Sequence, residues 1–349
     1  LEEKPGNVMV TAGNNRLKTE YIKATVDEAI HVLADKPMCI TKTDFELLKQ
    51  AFDSAKEQNV LLYDIMTERY EITTMLQKKL STMPEVFGEL ITGSVEEPAV
   101  TKESVHHFFK YVAGSPLKRP AWYFDTQQQG EGIVDVATHL VDLIQWECFP
   151  EQILNYETDV DMLIANRWPT KVSLEQFEKV TSLAEFPDYL NEYIDGGILN
   201  VYANGEFIYK LKGKFAKVSV IWNFQAPEGA GDTHYSIMRG TKANVIIRQG
   251  EEQNYKPALY VQAVTSDAEF GPTLESAVEK IAQEYPGVSL EQHGEEWLVA
   301  IPQEYHVGHE AHFGQVMEKY LRFLVNGQLP EWEIPNMITK YYTTTTALE

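Results

Sequence analysis

The sequence predicts an α/β segment with a parallel sheet, followed by an α+β domain built on a large, mostly antiparallel sheet with helices on one face. Two patterns carry this reading. Over residues 7–65 short β-type runs alternate with helical stretches, as parallel βαβ units require. Over residues 197–264 six strand-like runs are separated by Gly, Asn and Asp turns, as in an antiparallel meander.

The first run, 7–12 (NVMVTA), ends in the turn cluster Gly13-Asn14-Asn15-Arg16. Residues 17–30 are helical in pattern, and 31–34 (HVLA) form a strand that stops at Asp35-Lys36-Pro37. An amphipathic helix follows at 43–58 and a third strand at 60–65 (VLLYDI). Ligands of such sheets sit at the carboxyl ends of the strands, where Asn14 and Lys36 fall. A helix is expected over 68–83, and Pro84 marks a boundary between domains 1–84 and 85–349. Beyond it the pattern gives a β-rich start at 87–94, a helix at 102–112, a strand at 121–124 and a polar loop at 125–130. After the meander, helices at 274–285 and 309–324 flank a strand-like pair at 288–291 and 297–301.

Residues 132–146 (GIVDVATHLVDLIQW) read as a buried helix with one ionisable stripe. At helical spacing Asp135, Thr138, His139 and Asp142 fall within an arc of roughly 100°. Buried carboxylates need partners or a ligand, and Asp135 and His139, four apart, are expected to stack and share a proton or hydrogen bond.

Composition narrows the function classes. A chain of 349 residues is long enough for two domains with a real core. A net charge of −22 without a basic stripe argues against nucleic acid. Cys39 and Cys148 supply neither a disulfide framework nor a metal set. No apolar run reaches the roughly 20 residues of a membrane span, and cytoplasmic and periplasmic locations fit alike. His306, His309 and His312 are spaced three apart, but they lack the H-E-x-x-H arrangement and Gly308 interrupts them. No metal is expected; His309 is read instead as facing a cleft. The adjacent His106 and His107 are expected on the surface of their helix.

The order strand, turn with Asn14, helix, strand, Asp35-Lys36-Pro37, and later Asp135-x-x-x-His139-x-x-Asp142 resembles the Gfo/Idh/MocA (glucose–fructose oxidoreductase-like) family. That family carries Glu-Lys-Pro where Asp35-Lys36-Pro37 stands, often with a cis bond before proline. Gly130, Gly132 and the Gly240-Thr241-Lys242 turn also match, while Ala137 stands where glycine is usual. The resemblance implies a partial Rossmann sheet and an NAD- or NADP-dependent oxidoreductase moving a hydride between nicotinamide and a sugar or polyol hydroxyl. It implies Lys36, Asp135 and His139 as catalytic residues, with His139 the base, Asp135 its orienting carboxylate and Lys36 polarising the substrate oxygen. Asn14, Asp35, Lys36 and Pro37 would face the cofactor, and Asp142 and His309 the substrate. It further implies a homo-oligomer joined through the C-terminal sheet.

The chain departs from the family in having no G-x-G-x-x-G. It opens at what reads as the fourth strand of a six-stranded Rossmann sheet, and Leu1 rather than Met fits a sequence lacking its N-terminal part. Leu348-Glu349 are read as a cloning remnant. Two other functions stay open: an NAD-dependent glycoside hydrolase or lyase using transient oxidation, and a non-catalytic carbohydrate-binding protein on the same fold.

Overall fold

The computed structural model describes residues 6–112, 115–264 and 266–349; Leu1 lies outside them. The N-terminal segment runs β1 (Val8–Thr11), α1 (Lys18–Asp27), β2 (His31–Asp35), α2 (Lys42–Glu57) and β3 (Leu62–Ile65). All three strands are parallel in the order β1-β2-β3, as the alternating pattern requires. β2 is apolar at its centre because helices cover both faces, and Val32, Leu33 and Ala34 are fully buried. Thr41 starts α2 by accepting the Asp44 amide on its side chain. The Lys36–Pro37 peptide after β2 is cis.

The expected helix at 68–83 is broken. Thr67–Tyr70 form a 3-10 turn, and Glu71 then caps α3 (Ile72–Ser81) by accepting the Thr74 amide. Two other assignments reverse. Residues 102–112 are not a helix; they belong largely to strand β4 (Val100–Phe109). Residues 121–124 are a 3-10 turn rather than a strand. The run VTKESVHHFF suits either period, and its strand neighbours on both sides, far away in sequence, decide it.

Helix α4 (Ala137–Cys148) is shorter than expected, because residues 132–136 form turns. Gly132 lies so close to the sheet that a Cβ there would meet the Ala203 carbonyl oxygen at 1.8 Å. The longer elements that follow are β5 (Val160–Ser173), α5 (Leu174–Thr181), β6 (Ile198–Leu211), β7 (Lys214–Gln225), β8 (Thr233–Arg239), β9 (Ala243–Gln249) and β10 (Ala258–Ala263). They continue with α6 (Phe270–Glu284), β11 (Ser289–His293), β12 (Glu296–Ala300), α7 (His309–Asn326) and α8 (Glu333–Thr346). The sheet order is β11-β12-β10-β9-β8-β4-β7-β6-β5, and a two-residue strand, Ile194–Asp195, also pairs with β6. β4 and β7 pair in parallel, and every other neighbouring pair is antiparallel.

Helices α7 and α8 do not pack where their place in the chain suggests. Val316, Tyr320, Met337 and Tyr341 complete the core around the parallel sheet. Helix α8 also satisfies its own buried threonines, whose hydroxyls donate back one turn, Thr343 to Thr339 O and Thr345 to Tyr341 O. No helix among the described residues is long and apolar enough to cross a membrane.

Candidate active site

Lys36 leaves the carboxyl end of β2 and reaches the turn before α4, where its Nζ donates to Asp135 Oδ1 at 2.7 Å. Gln129 donates to the other carboxylate oxygen at 2.9 Å. The structure thus joins two residues 99 positions apart. The third predicted residue, His139, is beside them in a cleft of about 580 Å³ that Lys36 also lines.

The pairing within this trio corrects the sequence reading. Asp135 does not hold His139, because it sits in the irregular turn ahead of α4 rather than one helical turn below the histidine. Its carboxylate is taken by Lys36 and Gln129, and the Nδ1 of His139 is buried without a partner among the described residues. Burial first, and the Lys36 ammonium second, hold the His139 imidazole well below the usual histidine range, so it is neutral near pH 7.

The cleft has three walls. The α/β segment supplies Lys36, Glu68 and Glu71, helices α4 and α7 supply His139 and His309, and the large sheet supplies the third. His309, expected at the substrate, does line the cleft, with its Nδ1 3.7 Å from Glu68 Oε1. Burial, reinforced by the nearby Glu71 carboxylate, raises Glu68 to about 7.

Asp142 does not line the cleft. It is 1% exposed and is held by Arg69 through two hydrogen bonds of 2.6 and 2.7 Å and by Lys340 at 2.8 Å. Against the upward push of burial, these two cations keep its carboxyl well below the usual range. Its partners come from residues near 70 and 340, so spacing on the helix could not reveal them. Asn14 is likewise displaced: its exposed amide donates to Gln128 Oε1. The neighbouring Asn15 is the buried residue and bonds the Gln129 carbonyl at 2.7 Å.

Asn15, Gly13, Asp35 and Lys36 border a second hollow of about 280 Å³ that shares Lys36 and Val136 with the cleft. Behind it the buried Lys18 donates to Asn15 Oδ1 at 2.6 Å and to the Asp35 carbonyl at 2.9 Å, tying the two strand-end loops together. Burial lowers Lys18 to about 8 and, as the first of several influences, raises the Asp35 carboxyl.

The sheet wall was missed by sequence reasoning. His106, Lys110, Asp232 and His234 all reach the cleft. Reading 102–112 as a strand, with alternate side chains on one face, would have put Ser104 and His106 together; nothing local points to Asp232.

Residues 76–349 match the family described as "Putative oxidoreductase C terminal domain". A crystal structure described as a "putative oxidoreductase" from Parabacteroides merdae is 57% identical with a TM-score of 0.98, over 99% of this chain and 80% of that one. Levoglucosan dehydrogenase in complex with NADH and levoglucosan is 12% identical with a TM-score of 0.61, over 99% of this chain and 78% of that one. KijD10, a 3-ketoreductase from Actinomadura kijaniata in complex with NADP and TDP-benzene, is 12% identical with a TM-score of 0.55, over 97% and 77% of the two chains. No curated protein sequence matches the chain. The family match over most of the chain and the high identity to the Parabacteroides merdae structure agree with the Asp35-Lys36-Pro37 and Asp135/His139 motifs, and the chain belongs to the oxidoreductases of the Gfo/Idh/MocA type.

Proposed function

We propose that this protein oxidises or reduces a sugar or polyol at a carbinol carbon with a nicotinamide cofactor, NAD or NADP. The observation that carries the reading is the Lys36–Asp135 ion pair at the junction of two hollows, with a neutral His139 beside it. The smaller hollow lies at the carboxyl ends of parallel strands, and Gly13, with φ +86°, leaves its backbone open there. The Nδ1 of His139, without a partner among the described residues, is a second feature that suits a bound ligand. These residues fit the nicotinamide end of a dinucleotide, and no glycine-rich diphosphate turn is present in the chain.

A bound nicotinamide supplies the hydride acceptor or donor. In the oxidative direction His139 takes the hydroxyl proton, which a neutral imidazole does and an imidazolium does not. Lys36 donates a hydrogen bond to the substrate oxygen, and Asp135 fixes its ammonium for that task. Asp35 and Pro37 shape the turn that aims Lys36. His309 borders the substrate from α7. We also assign homo-oligomerisation to the large sheet, whose edge strand β5 exposes Leu163, Ile164 and Trp168.

The test is reduction of NAD or NADP by a panel of neutral sugars and polyols. His139→Asn is expected to lower turnover by about 10²–10⁴ with cofactor affinity retained. Lys36→Ala is expected to impair both turnover and cofactor affinity. Wild-type turnover in both variants, or no nicotinamide reduction with any member of the panel, removes the dehydrogenase reading.

A further inference from the structure

The sheet wall carries a polar cluster that hydride transfer does not use. Asp232 precedes β8 with its Oδ1 2.9 Å from His107 Nδ1, and its Oδ2 accepts from Lys110 Nζ at 2.6 Å. His106 Nδ1 lies 3.5 Å from the same Oδ2. His106 is itself braced: its Nε2 is 3.0 Å from Ser104 Oγ, and its ring stacks on Trp222 with centroids 5.0 Å apart. The Asp232 carbonyl accepts from Gln249 at 3.1 Å. Residues of β4, β7 and β9 therefore hold this carboxylate in place.

Asp232 and Lys110 line the same cleft as Lys36 and His139. A carboxylate offers about four acceptor positions and an ammonium three donors. Lys110 spends one of its donors on Asp232, and acceptor capacity remains on the carboxylate. An acceptor and a donor thus stand side by side on a rigid wall. Neighbouring hydroxyls, each of which donates and accepts, complement that pair.

Charge decides the kind of ligand. The cleft is lined by the carboxylates Glu71 and Asp232, and by Glu68 raised to about 7, against the two ammonium groups Lys36 and Lys110. Lys36 is already neutralised by Asp135. No surplus positive charge is left for an anion, and a chain of net charge −22 repels one at a distance.

We propose that Asp232 and Lys110 hold a vicinal diol of the substrate, and that the cleft selects neutral polyhydroxylated rings over sugar acids and sugar phosphates. This rests on reading the cleft as a sugar or polyol site, and it gives that reading its substrate class.

The experiment is calorimetric titration at constant ionic strength with methyl α-glucopyranoside and myo-inositol as neutral probes. Glucuronate and glucose 6-phosphate serve as anionic ones. A neutral probe is expected to bind more tightly than either anion. Asp232→Asn is expected to weaken it by about tenfold, the loss of one charge-assisted hydrogen bond, and to narrow its advantage over the anions. Lys110→Met is expected to weaken the neutral probe as well. Thermal melting verifies that each variant is folded. Tighter binding of an anion, no binding of either neutral probe, or unchanged affinities in the folded variants overturns the proposal. Binding needs no hydride transfer, so the two readings fail separately. Asp232-dependent binding without any nicotinamide reduction defeats the redox reading alone, and sugar oxidation with an unchanged KM in Asp232→Asn defeats the diol clamp alone.

Discussion

His139 and His234 are both held below the usual histidine range, chiefly by burial and next by a lysine, Lys36 for the first and Lys102 for the second. His234 is pushed down to about 3. An unfolded histidine titrates near about 6.5, so below that pH the unfolded chain binds protons that the native site refuses. Stability is therefore complete above about pH 6.5 and falls as pH drops from there toward the folded values. At about pH 5 His234 accounts for a loss of about 2 kcal/mol, and His139 acts in the same direction. Glu68, raised to about 7, acts in the opposite sense, gaining as pH falls from that value toward the ordinary carboxyl range. The histidine contribution is best read as a difference: urea midpoints at neutral and mildly acidic pH should separate less in His234→Gln than in the wild type. Equal separations would refute it.

Helix α4 joins the cleft to two buried ion clusters. Asp142 meets Arg69 and Lys340, and Lys340 also reaches Asp64 at 2.7 Å. Arg69 bonds Glu333 as well, and Lys319 donates to Glu333 at 3.1 Å. Further along α4, Glu147 pairs with Lys102 of β4, both completely buried. Removing one partner strands a charge in a dry interior. Lys340→Met, which leaves Asp64 and Asp142 without their shared cation, should cost about 3–5 kcal/mol in denaturant unfolding. A loss near zero would show that water or a rearranged neighbour takes over. The turn ahead of the helix is equally constrained, since Gly132 abuts Ala203 and Gly205 abuts Ile133. Gly132→Ala should push the turn off β6, costing about 1–3 kcal/mol. It should also lower turnover, because Asp135 moves with the turn and releases Lys36. A variant with wild-type activity and melting temperature would contradict the close approach.

At the scale of the molecule, helices α7 and α8 return from the end of the chain to cover the parallel sheet. Tyr320 stacks on Tyr63 with centroids 6.2 Å apart, and Tyr341 donates to Asp64 at 2.8 Å. The small sheet has no complete core without them. The α/β segment and the large sheet should therefore lose structure together in urea, with tyrosine environment and far-ultraviolet signal changing in one transition. Two resolved transitions would show that the parallel sheet unfolds independently. The proposed oligomerisation through β5 has its own check, since Trp168→Asp should then shift the mass measured by light scattering toward one chain.

Local pattern, together with the family resemblance, anticipated that β1, β2 and β3 are parallel, that most of residues 197–264 form antiparallel strands, and that Lys36, His139 and His309 lie at a cleft. Those features are written in periods of two and 3.6 residues, in turn chemistry and in a compact motif, all of which act over short stretches of chain. The tertiary structure alone decided what Asp135 and Asp142 do. Both lay on one ionisable stripe, Asp135 expected to hold His139 and Asp142 to face the substrate, yet one became the anchor of Lys36 and the other the partner of Arg69 and Lys340. It also decided that VTKESVHHFF is a strand and that the threonine-rich tail is a buried helix. The physical reason is common to all of these. A buried charge goes to whichever opposite charge the fold brings within about 3 Å, and an ambiguous apolar run takes the form its distant neighbours can hydrogen-bond.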